Sequence, residues 1–173
     1  RRVLFRSAAG RYGIKATILV PHGNNPEKNA AMKALGAELI EHGADFQEAR
    51  EYAGVLASEC GLHVVQPFEP WLVQGVGTYS LEFLSTHPDL EAVYVPIGQG
   101  SGISGMISAR DALNLKTKII GVVAENAPSY ALSFDQGEPI STNSSETVAD
   151  GLAVRVPDAD ALALIMAGAD REI

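Results

Sequence analysis

The sequence predicts an α/β fold in which parallel sheets are flanked by helices. Short β-branched runs alternate with longer amphipathic ones along the chain, and no internal repeat or low-complexity tract interrupts the pattern. Alternation of this kind builds parallel sheets with helices on their faces. An apolar share of 46% with 20% charged residues is that of a folded chain, not a disordered one. A length of 173 residues suits one domain, or pieces of two, and is enough to bury a core.

Taken in order, Ala16-Thr17-Ile18-Leu19-Val20 reads as a buried strand, halted by Pro21-His22-Gly23-Asn24-Asn25. Asn25 offers an N-cap and Pro26 a first-turn proline, so a helix is predicted through Met32 and Leu35 to Gly36. Ala37-Glu38-Leu39-Ile40 is a second short strand. Asp45 caps the next helix, with Glu48 three residues on completing a capping box. Phe46, Ala49, Ala53, Leu56 and Cys60 fall at helical spacing, which makes Cys60 a small core residue in preference to a nucleophile. His63-Val64-Val65 restarts the strand pattern, and a mild compositional shift near 61–66 places a domain boundary between 1–62 and 63–173. Beyond Pro67 a helix is predicted over 72–84, where Gly75 and Gly77 permit close approach of a neighbour. Ala92-Val93-Tyr94-Val95-Pro96 is the third strand; it runs into Gly98-Gln99-Gly100-Ser101-Gly102 and a helix through Met106, Ile107 and Leu113. Lys118-Ile119-Ile120-Gly121-Val122-Val123 is a further strand, and 129–134 a short helix.

Thirteen basic against 21 acidic residues leave a net charge of −8, which argues against a nucleic-acid partner, since phosphate-rich polymers select an excess of Lys and Arg. The apolar runs are too short to cross a bilayer, so no membrane partner is expected. A single cysteine, Cys60, excludes an internal disulfide framework and fits a reducing, cytoplasmic compartment. The chain opens Arg1-Arg2-Val3-Leu4-Phe5-Arg6-Ser7 without Met, and that apolar run is too short for a signal peptide. At the other end, Met166 to Ile173 carries no terminator and breaks off inside a continuing element. Both ends lead to the expectation of an internal fragment of a longer protein.

The glycine loop after the third strand carries the chemistry. Glycines let successive backbone N–H groups converge, and the helix that follows adds its positive N-terminal end, so the loop can cradle a phosphate. Ser101 offers a hydroxyl donor besides; the plain alternative is a tight turn whose glycines serve only packing. Gly100-Ser101-Gly102-Ile103-Ser104-Gly105 also matches the dinucleotide pattern, with Glu125 twenty residues on where a ribose-binding acid is expected. That reading would make an NAD(P)-dependent oxidoreductase, although the fingerprint normally sits at the first strand of its domain and here several βα units precede it. His22, His42, His63 and His87 are spaced 20 or more residues apart and pair with no Cys or carboxylate at ligand spacing, so no metal site is expected. No G-x-S-x-G elbow is present. Asp111, Asp150, Asp158 and Asp160 read as helix-end or turn carboxylates.

The order of segments is itself informative. Gly13-Ile14-Lys15-Ala16-Thr17-Ile18-Leu19-Val20-Pro21 is followed by Lys28, Gly36-Ala37-Glu38, His42-Gly43, Pro67-Phe68 and Gly75-Val76-Gly77-Thr78. Val95-Pro96-Ile97-Gly98-Gln99-Gly100-Ser101-Gly102 and Thr147-Val148-Ala149-Asp150-Gly151-Leu152-Ala153-Val154 complete the series. From about residue 8 to 166 this resembles the threonine/serine dehydratase family of pyridoxal-phosphate enzymes, which share the tryptophan-synthase-β-like fold (fold type II); here the fold would be incomplete. The resemblance implies that Gly98, Gln99, Gly100, Ser101 and Gly102 wrap the phosphate of pyridoxal 5'-phosphate and that Gly151 lies near its pyridine ring. It implies a substrate-gripping small domain over 1–62 and a cofactor-binding large domain over 63–173. It further implies a small hydroxy amino acid as substrate, released as a 2-oxo acid and ammonia, and a homo-oligomer when full length. A relative that keeps the fold as a non-catalytic binding module is the other reading.

Three departures from the family pattern matter. The family's loop is typically four glycines and a Leu or Met, whereas Gln99, Ser101 and Gly102 replace three of those five; binding through backbone N–H groups then requires that Gln99 not need a positive φ. The Glu that holds a divalent cation in racemase-type members aligns with Val123, and their second carboxylate with Ser129, so a cation site is not expected. In the family a lysine of a Ser-x-Lys motif holds the cofactor as an imine and removes the α-proton. Lys15, Lys28, Lys33, Lys116 and Lys118 all sit in other contexts, and the family's substrate loop would end where Arg1 begins. The residue that meets the pyridine nitrogen likewise belongs to a C-terminal part that these 173 residues do not contain, so the expectation is a chain inactive alone.

Overall fold

In the computed structural model the described residues are 2–172; Arg1 and Ile173, where the sequence reading sets the broken ends, lie outside them. The chain divides into two compact units, one running to Val64 and the other starting at Val65.

The first unit opens with a helix that the sequence reading did not anticipate, α1 (Arg2–Arg11), followed by β1 (Thr17–Val20), α2 (Pro26–Ala34), β2 (Glu38–Glu41) and α3 (Phe46–Cys60). β1 and β2 pair in parallel from Thr17↔Glu38 to Val20↔Glu41. The helix starts follow from their caps. The Asn25 side chain accepts from the Lys28 N–H at 3.1 Å with Pro26 next in line, and Asp45 accepts from the Glu48 N–H at 2.9 Å. The return bond of the expected capping box lands one residue early: Glu48 Oε2 accepts from the Ala44 N–H at 2.8 Å. A small core of Ile18, Val20 and Met32, flanked by Ala37 and Leu39, closes the unit. Cys60 departs from expectation, because it is exposed. The buried residues of α3 are Ala49 and Ala57, and Cys60, on the same face but the last residue of the helix, lies beyond the end of what covers them.

The predicted strand at His63-Val64-Val65 does not form; 62–66 is a connection in which Leu62 and Val65 are exposed. A strand needs a partner for its ladder, and this stretch pairs with none. The second unit continues with α4 (Pro70–Thr86), β3 (Ala92–Pro96), α5 (Ser101–Ala112), β4 (Lys118–Val122) and α6 (Ser129–Gln136). After a 3₁₀ turn at Asp150–Leu152 come α7 (Ala159–Gly168) and β5 (Arg171–Glu172). The sheet order is β3-β4-β5, all parallel. A core of Val95, Ile97, Ile103, Met106, Ile107, Ile119, Tyr130, Leu162 and Ile165 packs α5 and its neighbours onto the sheet. Each fully buried Ile there contributes about 1.5–3 kcal/mol.

α5 is buried over most of its length, which is why its sequence shows so little amphipathic pattern. It packs against α4 where Gly77 meets Gly105; a Cβ on Gly105 would stand 3.0 Å from the Gly77 nitrogen. The stretch between α6 and α7 is tied down by side chains. Ser129 Oγ donates to the Val154 carbonyl at 2.8 Å, and Ser133 Oγ accepts from the Ile140 N–H at 2.8 Å. Among the described residues no helix is long and apolar enough to cross a membrane.

Candidate functional site: a glycine loop at the start of α5

Two backbone bonds fix where the loop leaves the sheet. The Glu91 carbonyl accepts from the Lys118 N–H at 2.9 Å, and the Ile97 N–H donates to the Val122 carbonyl at 2.8 Å. β3 is therefore held at both ends, and the chain turns sharply over 98–100 into the first turn of α5.

Gly100 makes that turn. It stands at the helix N-cap with φ +88°, a conformation open to glycine, and a Cβ there would lie 2.6 Å from Ala161 Cβ and 3.4 Å from the Tyr130 hydroxyl. The floor under the loop is thus α6 and α7, and it is braced: the Tyr130 hydroxyl accepts from the Asp158 N–H at 2.9 Å. Asp158 in turn caps α7, accepting from the N–H groups of Asp160 and Ala161 at 3.2 Å. Asp158 is the helix-end carboxylate that the sequence suggested.

Gly98 faces the other way. A Cβ on it would collide with the Gly151 carbonyl oxygen, so the 3₁₀ turn at Asp150–Leu152 passes directly against the loop. Gly151 itself is exposed, with open space where its side chain would be. The structure therefore brings Gly98, Gln99, Gly100, Ser101, Gly102 and Gly151 into one neighbourhood.

The Ser104 N–H donates to the Gly100 carbonyl at 3.0 Å, the first bond of the helix. The amides of Gly102 and Ile103 precede it and have no carbonyl one turn back. Those of Gly98, Gln99 and Gly100 donate to no carbonyl among the described residues. A group of such amides at a helix start, with its positive dipole end, suits the oxygens of a phosphate monoester. Gln99 keeps a negative φ, since Asn114 is the sole non-glycine residue with positive φ among those described. The substitution of glycine by Gln at this position is therefore free of backbone strain. The Gln99 side chain is 6% exposed, and its Oε1 is buried with no hydrogen-bond partner. An orphaned buried oxygen beside main-chain amides that donate to no carbonyl among the described residues fits a group supplied from outside the chain.

Sequence reasoning missed the supporting residues Tyr130 and Ala161, and the Tyr79 hydroxyl that lies 4.0 Å from the Cβ position of Gly102. Each comes from a helix remote in sequence, so no local pattern announces it. The lysines of the second unit are distant from the loop. Lys118 sits opposite Ala92 at the far end of the β3–β4 pair, about 13 Å from Pro96 at the strand rise of parallel β. Among the described residues no group of three His, Cys, Asp or Glu is placed to hold a metal ion.

Residues 4–173 match the family described as pyridoxal-phosphate dependent enzyme. The chain belongs to that family. It is 39% identical over 151 residues to the L-threonine ammonia-lyase of Thermotoga maritima, covering 87% of this chain and 38% of that protein. It is 37% identical over 146 residues to the catabolic L-threonine dehydratase of Staphylococcus aureus, covering 84% and 42%. The processed form of threonine deaminase isoform 2 from Solanum lycopersicum superposes with a TM-score of 0.89 at 30% identity, over 99% of this chain and 50% of that one. These likenesses place the chain with the threonine/serine dehydratases and bear out both the fold type II assignment and the pyridoxal-phosphate dependence. They take the place of the nicotinamide reading of Gly100 to Gly105 with Glu125. The chain spans 38% and 42% of the length of these two curated relatives.

Proposed function

We propose that this chain is the phosphate-holding part of an ammonia-lyase that converts threonine, serine or a similar hydroxy amino acid to a 2-oxo acid and ammonia. The observation that carries the reading is that the amides of Gly98, Gln99 and Gly100, just ahead of α5, donate to no carbonyl among the described residues, in a chain related to threonine ammonia-lyases. Bound pyridoxal phosphate supplies an electron sink for the charge left when the α-proton of an amino acid departs. The main-chain N–H groups from Gly98 to Gly102 grip its phosphate, and the helix end fixes its orientation. Gly151, with nothing within 4 Å of where its side chain would be, leaves room for the ring. Tyr130 and Asp158 hold the floor of the loop rigid, so that binding does not first have to order it.

The first unit serves the substrate and the second the cofactor. The chain alone is inactive, because none of Lys15, Lys28, Lys33, Lys116 and Lys118 stands in the family's Ser-x-Lys context, and Lys118 sits at the end of β4 remote from the loop. The complete protein acts as a cytoplasmic homo-oligomer; a single exposed cysteine with no disulfide supports the reducing compartment.

Reconstitution of the complete protein with pyridoxal phosphate tests the reading. The expected result is an absorbance band at the edge of the visible, removed by borohydride with labelling of a lysine, and release of a 2-oxo acid from threonine or serine. A protein that stays colourless overturns it. Bound cofactor without any lysine adduct would indicate a non-catalytic binding module, and turnover by the 173-residue chain alone would refute its inactivity.

A further inference from the structure

The loop differs from an all-glycine cradle in carrying a side-chain amide whose buried oxygen nothing among the described residues satisfies. Gln99 is 6% exposed, and its Oε1 meets no donor among the described residues. Leaving an amide oxygen buried and unpaired costs free energy, and such a group in a native fold calls for a partner. Its chain neighbours are Gly98, held against the 3₁₀ turn at Asp150–Leu152, and Gly100, seated on Ala161 and Tyr130. The backbone that carries Gln99 is therefore fixed on both sides, while its carboxamide remains uncommitted.

A carboxamide has two ends of nearly equal size, and a half-turn about its last torsion exchanges oxygen for NH2 at little steric cost. We propose that the Gln99 carboxamide is a side-chain contact to the phosphate held at this loop, donating from its NH2 to a phosphoryl oxygen. This inference rests on the cofactor reading above and adds to it, because the main-chain cradle needs no side chain at position 99. The contact adds a side-chain donor to a cradle otherwise made of main-chain amides. It also makes affinity depend on the phosphate itself and not on the ring.

The test compares two probes, pyridoxal 5'-phosphate and pyridoxal, which lacks the phosphate, by equilibrium binding to the complete protein carrying Gln99→Leu or Gln99→Gly. Gln99→Leu keeps the bulk and removes the hydrogen bond. Gln99→Gly restores the loop's usual small residue and serves if the apolar side chain disturbs folding. The expected result is about a ten-fold or greater loss of affinity for pyridoxal phosphate in both variants, the size of one hydrogen bond to a charged group, with pyridoxal binding unchanged. Equal losses for both probes, or no loss for either, would overturn the contact while leaving the cofactor reading in place. A wild-type protein that binds neither probe overturns both.

Discussion

The carbonyl oxygen of Gly151 occupies the space that a β-carbon on Gly98 would need. Two segments separated by more than fifty positions are thereby locked edge to edge, one leaving β3 and the other forming the 3₁₀ turn at Asp150–Leu152. Because both atoms in conflict would be attached to backbone, neither can swing aside. Gly98→Ala is expected to displace the 3₁₀ turn, destabilise the protein by about 1–3 kcal/mol and lower cofactor affinity. Denaturant unfolding alongside cofactor titration of the complete protein checks both effects; an unchanged midpoint would mean that the two segments are not held in this register.

Gly100 is constrained from beneath and by its own backbone. Gly100→Val combines a left-handed φ of +88° with a collision at Ala161. A destabilisation of about 2–5 kcal/mol and loss of cofactor retention are expected, read by thermal unfolding and by cofactor content after dialysis. Retention at the wild-type level would show that the loop has another job.

Ser101→Ala should be the mild counterpart. The backbone donors of the loop survive this change, so cofactor affinity is expected to stay within about 1 kcal/mol of wild type. A loss as large as that of Gly100→Val would assign the grip to the hydroxyl instead of the main chain.

Gly105 separates stability from binding. A Cβ at this position would press on the Gly77 nitrogen at 3.0 Å and on the Val73 carbonyl at 3.4 Å, wedging α4 from α5. Gly105→Ala is expected to cost about 1–3 kcal/mol of stability, with little change in cofactor affinity per folded molecule. Circular-dichroism melts together with binding isotherms distinguish the two.

Much of this architecture was legible before any coordinates. β3 falls where the run of β-branched residues predicts it, and α2 and α3 start at the caps that Asn25 and Asp45 announce. The sharp turn at 98–100 was legible because glycines at a strand-to-helix junction permit the positive φ that Gly100 adopts. What escaped was what depends on distant partners. His63-Val64-Val65 has the composition of a strand but no neighbour to pair with, and Cys60 has helical spacing but, as the last residue of α3, lies beyond what covers that face. α1 escaped because no capping residue marks its charged opening. The floor under Gly100 was equally invisible, since Tyr130 and Ala161 reach it from α6 and α7.

We propose that main-chain amides at 98–102 hold the phosphate of a vitamin B6 cofactor. Amide chemical shifts of the complete protein, isotope-labelled and titrated with pyridoxal phosphate, test it most directly. Large downfield proton shifts are expected for the amides of Gly98, Gln99, Gly100 and Gly102, saturating together with cofactor binding. Cofactor binding that leaves these amides unmoved would contradict it.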